Sequence, residues 1–203
     1  MPPLTVMIKP VSSACNMMCR YCFYADVSKH REQASMGRMS LATLENTVRR
    51  AFAYADETVS FNFQGGEPTL AGPGFYEALI DFQKKYNSRG IRVQNAIQTN
   101  GYALDDRLLE LLQRERFLVG VSFDGTPEIH DRLRLDRKGE GSSAAVERTI
   151  ERLQERGIEF NILCVVNAYV AEHGPLILTD TARDGTFTWG DGPWPWQYSE
   201  EEA

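Results

Sequence analysis

Three of the four cysteines in this 203-residue chain fall within eight positions, Cys15, Cys19 and Cys22, spaced C-x3-C-x2-C directly after a short apolar segment. Three thiolates can hold three irons of a [4Fe-4S] cluster and leave the fourth iron open to a small molecule. A cluster kept for electron relay normally has four protein ligands, so the spacing points to chemistry at the metal. The alternative is structural zinc, which takes four N or S ligands, with His30 completing a Cys3His set. Cys164 lies far away in the apolar run Ile162-Leu-Cys-Val-Val166 and reads as a buried core thiol.

A second group of residues has the types needed to hold a ligand. Gly65 and Gly66 carry no Cβ, so a ligand could approach their backbone closely. Glu67 can accept from an ammonium group, and Arg134 can pair with a carboxylate through its bidentate fork. Arg134 also stands in the charged run Asp131-Arg-Leu-Arg-Leu-Asp-Arg-Lys138. Composition alone favours a solvated surface residue there, because exposed ion pairs are common and weak. A ligand offering both an ammonium and a carboxylate is an amino acid or something that carries one, and an open iron could chelate the same two groups.

The elements that must position these residues alternate along the chain. Residues 4–9, 58–63, 91–97, 117–123 and 158–166 read as strands. Apolar faces at helical spacing fall at Leu41 to Ala55, with Ser40 as N-cap and Met39 and Leu44 as a hydrophobic staple. Further helical faces run from Phe75 to Tyr86 with Gly90 as C-cap, from Leu104 to Leu112, and from Val146 to Leu153 closed by Gly157. Five strands alternating with four helices predict an α/β fold of parallel strands joined by right-handed crossovers. A partial (β/α) barrel fits best, with a doubly wound sheet as the competitor. The polar and glycine-rich stretches all follow strands: the cysteine loop, Gln64 to Pro68, Gln98 to Gly101, Ser122 to Gly125, and Asn167. In β/α barrels that end of the sheet carries the active site.

Composition bounds the partners. A net charge of −6 argues against nonspecific nucleic-acid binding. The longest apolar runs are too short to span a membrane. Met-Pro-Pro-Leu-Thr-Val shows no basic and apolar export signal, which with clustered cysteines predicts a reducing, cytoplasmic location.

Cys15-Asn-Met-Met-Cys-Arg-Tyr-Cys-Phe-Tyr24 resembles the signature of radical S-adenosylmethionine (SAM) enzymes, and Gly65-Gly66-Glu67-Pro68 resembles their second motif. Phe63 to Gly72, Gln98 to Gly101, Ser122 to Gly125 and His130 to Arg134 resemble the anaerobic sulfatase-maturating enzymes, peptide-modifying members that carry a C-terminal SPASM domain. The resemblance covers roughly residues 3–173. It implies a [4Fe-4S] cluster on Cys15, Cys19 and Cys22, with SAM on the open iron. Tyr24 and Gly66 would contact SAM, Gly65 and Glu67 would complete the motif, and Ser122 and Arg134 would hold SAM's polar groups. Gln64 and Tyr24 would help place the reacting carbon, and Tyr21 is the aromatic the superfamily keeps beside the third cysteine. The implied reaction is reductive cleavage of SAM to a 5′-deoxyadenosyl radical. That radical oxidises a cysteine or serine of a sulfatase to Cα-formylglycine, with a flavodoxin or ferredoxin as electron donor. The alternatives are another SPASM-type maturase, such as a thioether-forming enzyme, or a catalytically incomplete fragment that binds the cluster and SAM.

The chain departs from this pattern after about His173. Residues 1–173 are expected to form the radical SAM core and 174–203 an irregular tail, with the SPASM domain absent. That tail holds Trp189, Trp194 and Trp196, with Pro193 and Pro195 about Trp194, and ends on Glu200, Glu201 and Glu202.

Overall fold

The computed structural model describes residues 3–173; the expectations for the tail lie outside the described residues. Five parallel strands run in chain order across one sheet: β1 (Leu4–Ile8), β2 (Thr58–Phe63), β3 (Arg92–Thr99), β4 (Leu118–Ser122) and β5 (Phe160–Leu163). A doubly wound sheet reverses its strand order at a switch point. This one does not, and the architecture is the partial β/α barrel.

The crossovers carry α2 (Leu41–Tyr54), α3 (Pro73–Tyr86), α4 (Asp106–Arg114) and α6 (Ser143–Glu155). These pack on one face of the sheet. Strand β2 shows why: Val59, Phe61 and Phe63 are buried while Ser60 and Asn62 between them are not. Successive strand side chains point to opposite faces, so one face is apolar and the other polar. Phe63 meets the Tyr76 ring edge-on at 5.2 Å, and Phe117 lies 6.3 Å from Tyr76. The Tyr76 hydroxyl satisfies itself on the Pro68 carbonyl at 2.8 Å.

Local signals set the helix ends. Ser40 Oγ accepts from Thr43 N at 3.1 Å and starts α2, and Met39 and Leu44 join the same core. Asp105, not Leu104, starts α4, accepting from Arg107 N at 2.9 Å. Gly90, expected as the cap of α3, lies three residues past the true cap, Asn87. The Asn87 amide closes the turn itself, bonding Ile91 N at 2.7 Å and Ile91 O at 2.8 Å. Gly157 follows the α6 cap with φ +61°, the left-handed geometry that a glycine supplies.

Three short helices have no counterpart in the sequence pattern: α1 (Phe23–Lys29), α5 (Pro127–Leu133) and α7 (Ala168–Glu172). Each spans about two turns or fewer, too little to show a period, and α1 buries no residue at all. The fifth strand is also shorter than residues 158–166. Cys164 just beyond it is half-buried in a satellite cluster with Ile129, Leu133 and Val170, not in the main core.

Candidate active site

The loop from β1 to α1 lies over the C-terminal ends of the strands and is tied down from several sides. Glu67 N donates to Ala14 O at 2.7 Å. Asn100 Nδ2 donates to Asn16 Oδ1 at 2.8 Å and reaches Cys15 Sγ at 3.5 Å. Met18 N and Arg20 N donate to the carbonyls of Leu135 and Leu133 at 2.7 and 2.9 Å. Arg137 Nε donates to Cys15 O at 3.1 Å.

Cys15, Cys19 and Cys22 are all half-buried and unpaired. Burial pushes the Cys19 thiol up to about 11, with Arg134 opposing and the charges of Cys15 and Cys22 adding. Burial also raises Cys15, against bonds from Met17 and Asn100. The three sulfurs therefore lie within electrostatic reach of one another. Among the described residues, no three His, Cys, Asp or Glu side chains converge on a single-ion site. His30 does not join the cysteines: its ring is 75% exposed and sits on Asp26, 2.9 Å from the Asp26 carbonyl.

The Gly65-Gly66-Glu67 stretch differs from its expected use. Both glycines have positive φ, +88° and +46°. A Cβ on Gly66 would lie 2.1 Å from Ala14 O, and one on Gly65 would lie 2.8 Å from Lys9 Cγ. The close approach that glycine permits here is made by the protein's own chain. Glu67 was expected to face a ligand ammonium. Instead its carboxylate is 1% exposed and takes four protein donors. Oε1 accepts from Thr69 N at 3.0 Å, Thr69 Oγ1 at 2.7 Å and Thr99 Oγ1 at 2.9 Å, and Oε2 accepts from Asn100 N at 2.7 Å. Burial raises its pKa against these four bonds. Glu67 thus joins the end of β2 to the end of β3, under the cysteine loop.

Arg134 is the second correction. It caps α5 and is only 5% exposed, not a solvated member of a charged run. Its Nη1 donates to Tyr21 Oη at 2.7 Å and lies 4.0 Å from Asp124 Oδ2. The Tyr21 hydroxyl, raised by burial and so protonated, donates to Asp124 Oδ2. Asp124 is fully buried, and its Oδ1 accepts from Val165 N at 3.0 Å. Among the described residues one buried side-chain donor is left over: Arg134 Nε has no hydrogen-bond partner.

Behind Arg134 the ring of His130 closes a further chain. Ser142 Oγ donates to Arg134 O at 2.7 Å, so it accepts from His130 Nε2 at 2.9 Å, while His130 Nδ1 accepts from Asp124 N at 3.3 Å. This pattern assigns the neutral Nε2–H tautomer, and burial, helped by Arg134, lowers the His130 pKa to about 4.

The remaining expected residues are Ser122 on β4, Gln64 just after β2 and Tyr24 on α1. Ser122 Oγ accepts from Gln98 Nε2 at 3.0 Å. Gln64 is half-buried beside β1, its backbone N donating to Ile8 O at 3.0 Å. Tyr24 is half-buried on α1, with Lys9 Nζ 4.8 Å from its ring centroid. The structure therefore brings Cys15, Gly66 and Glu67 together through Ala14 and Asn100, and Cys19 and Arg134 together around Tyr21. It adds Asp124, Asn100 and Lys9, which the sequence reading gave no part. Asp124 and Asn100 were visible only as members of the strand-end stretches Ser122 to Gly125 and Gln98 to Gly101, which carry the family resemblance without a role for either residue.

Residues 10–172 match the family model of the radical SAM superfamily. The chain belongs to that superfamily. It is 47% identical over 173 residues to a cysteine-type anaerobic sulfatase-maturating enzyme of Clostridium novyi, covering 85% of this chain and 46% of that one. It is 33% identical over 178 residues to a serine-type enzyme of Klebsiella aerogenes, covering 86% of this chain and 43% of that one. Native anSMEcpe, solved with bound AdoMet and the Kp18Cys peptide, superposes with a TM-score of 0.85 at 41% identity, over 91% of this chain and 49% of that one. This radical SAM chain thus spans about half the length of the curated relatives it matches. Among the described residues, no helix is long and apolar enough to cross a membrane.

Proposed function

We propose that this chain is the SAM-cleaving part of a sulfatase-maturating radical SAM enzyme. In this reading Cys15, Cys19 and Cys22 ligate a [4Fe-4S] cluster and the polar face of the sheet receives SAM and a substrate peptide. The observation that carries it is Arg134 Nε, a buried donor without a partner beside the cysteine loop. A buried unsatisfied donor is costly, and a carboxylate accepted along the free edge of the guanidinium satisfies it. The donor set suits the cluster as well: three thiols, held by backbone bonds, with no fourth cysteine in the loop.

When bound, the cluster would supply one electron and SAM the hydrogen-abstracting fragment. The chain's own residues do the rest. Arg134 and Ser122 orient the ligand's polar groups, Tyr24 and the Gly66 backbone bound the same space, and Gln64 helps place the reacting carbon. Glu67 serves from below, holding the glycine turn and the cysteine loop in register. Burial raises the Cys15 and Cys19 thiols above their usual range, so loading the cluster onto them releases protons.

The substrate reading is a sulfatase peptide whose cysteine or serine becomes Cα-formylglycine, with a flavodoxin or ferredoxin as donor. The greater likeness to the cysteine-type relative, 47% against 33%, makes a cysteine peptide the first to try. The test is anaerobic reconstitution of the full chain with iron and sulfide, followed by reductant, SAM and either peptide. The expected result is 5′-deoxyadenosine together with an aldehyde-bearing peptide by mass spectrometry. 5′-Deoxyadenosine without peptide oxidation would contradict the sulfatase reading, and absence of both would contradict SAM cleavage by this chain.

A further inference from the structure

A guanidinium can receive a carboxylate in bidentate fashion only if its plane is held at one angle. Arg134 is held from both ends. On the main-chain side, Ser142 Oγ donates to its carbonyl at 2.7 Å and its own N–H donates to His130 O at 2.7 Å. On the side-chain side, Nη1 is engaged by Tyr21 and faces Asp124, while Nε is left free. We propose that Asp124 and Tyr21 are positioning residues. Together they fix the Arg134 guanidinium so that its Nε edge meets the carboxylate of the bound ligand, and they couple that edge to the cysteine loop. This rests on the reading of Arg134 as the SAM carboxylate receptor.

Asp124 is suited to the task because it is fully buried and both of its oxygens are committed, Oδ2 to Tyr21 and Oδ1 to Val165 N. A buried carboxylate needs a charged or hydrogen-bonded counterpart, and so does a buried guanidinium. Each supplies the other's, with the Tyr21 hydroxyl between them. Tyr21 lies between Cys19 and Cys22, and Arg20 N holds Leu133 O at 2.9 Å, one residue before Arg134. The cysteine loop and the Arg134 segment are thus tied at two adjacent pairs, one through backbone and one through side chains. The angle of the receptor edge follows the position of the loop.

The test compares binding of SAM with binding of decarboxylated SAM, which lacks the carboxylate, to the anaerobically reconstituted chain. Arg134→Ala is expected to shrink the preference for SAM by roughly tenfold to a hundredfold, the range for one charged hydrogen-bonded contact. Asp124→Asn and Tyr21→Phe should shrink the same preference in the same direction. They should leave decarboxylated SAM binding and iron content per chain unchanged. Asp124→Asn should add nothing in the Arg134→Ala background. Equal loss of both ligands in Asp124→Asn, or a further loss in the Arg134→Ala background, would overturn the positioning role while leaving Arg134 as receptor. No change of preference in Arg134→Ala itself would overturn the receptor reading, and the pair with it. Tyr21→Phe removes a single hydroxyl and keeps the test open if Asp124→Asn does not fold.

Discussion

The two sides of the sheet are stabilised by different forces. On the helix side, Val59, Phe61, Phe63, Leu79 and Leu108 are all but fully buried and meet one another through nondirectional apolar contact. At the strand ends, Glu67, Asp124, His130 and Arg134 are buried just as deeply, yet almost every polar atom has a named partner. The helix side tolerates exchange among apolar residues of similar volume. The strand-end side depends on individual donors and acceptors, because a buried polar group without its partner loses its hydration for nothing. Among the described residues Arg134 Nε is the exception, and in the proposed reading it is the donor that meets the ligand.

This difference can be sharpened by substitution, beginning with the helix side. Phe61→Ala should cost about 3–5 kcal/mol of unfolding free energy, read by urea denaturation, while the folded fraction still takes up iron. His130 provides the next effect. It is neutral and buried in the folded chain with a pKa of about 4, against about 6.5 unfolded. Between those values the unfolded state binds the extra proton, so stability is full above about pH 6.5 and falls as pH drops toward 4, by up to roughly 3 kcal/mol. His130→Gln should remove that slope, as seen by comparing denaturation curves of the two proteins across the window. A wild-type slope that persists in the variant would place the acid sensitivity elsewhere.

Glu67→Gln should cost less stability than Phe61→Ala, about 1–3 kcal/mol for a buried acceptor turned donor, but it should lower iron uptake more. The reversed ranking, with Phe61→Ala the worse for iron uptake among folded molecules, would erase the distinction between the two sides. Ser40→Ala is the smallest, about 1 kcal/mol for a lost N-cap, with no effect on iron content.

The same difference explains what could be read in the sequence. Periodicity reports apolar contact, so the five strands, the four crossover helices and the Ser40 cap were legible. The burial of Arg134 was not, although its fork was singled out as a carboxylate partner, because its surroundings are contributed by Tyr21 and Asp124, more than a hundred and about ten positions away. In one dimension it is a member of a charged run. Glu67 was legible as important and misread in its partner, since Thr69, Thr99 and Asn100 converge on it only after β2 and β3 pair. Short α1, α5 and α7 left no period to read. The cysteine spacing could point to a cluster because the three thiols lie close along the chain.

The most direct test of the account is the electron paramagnetic resonance spectrum of the reduced, reconstituted chain with and without SAM. One [4Fe-4S] signal that changes when SAM is added is the predicted result. It would place an open iron and a SAM site together at the strand ends. A chain that assembles no cluster, or one whose signal is the same with and without SAM, would contradict the central claim.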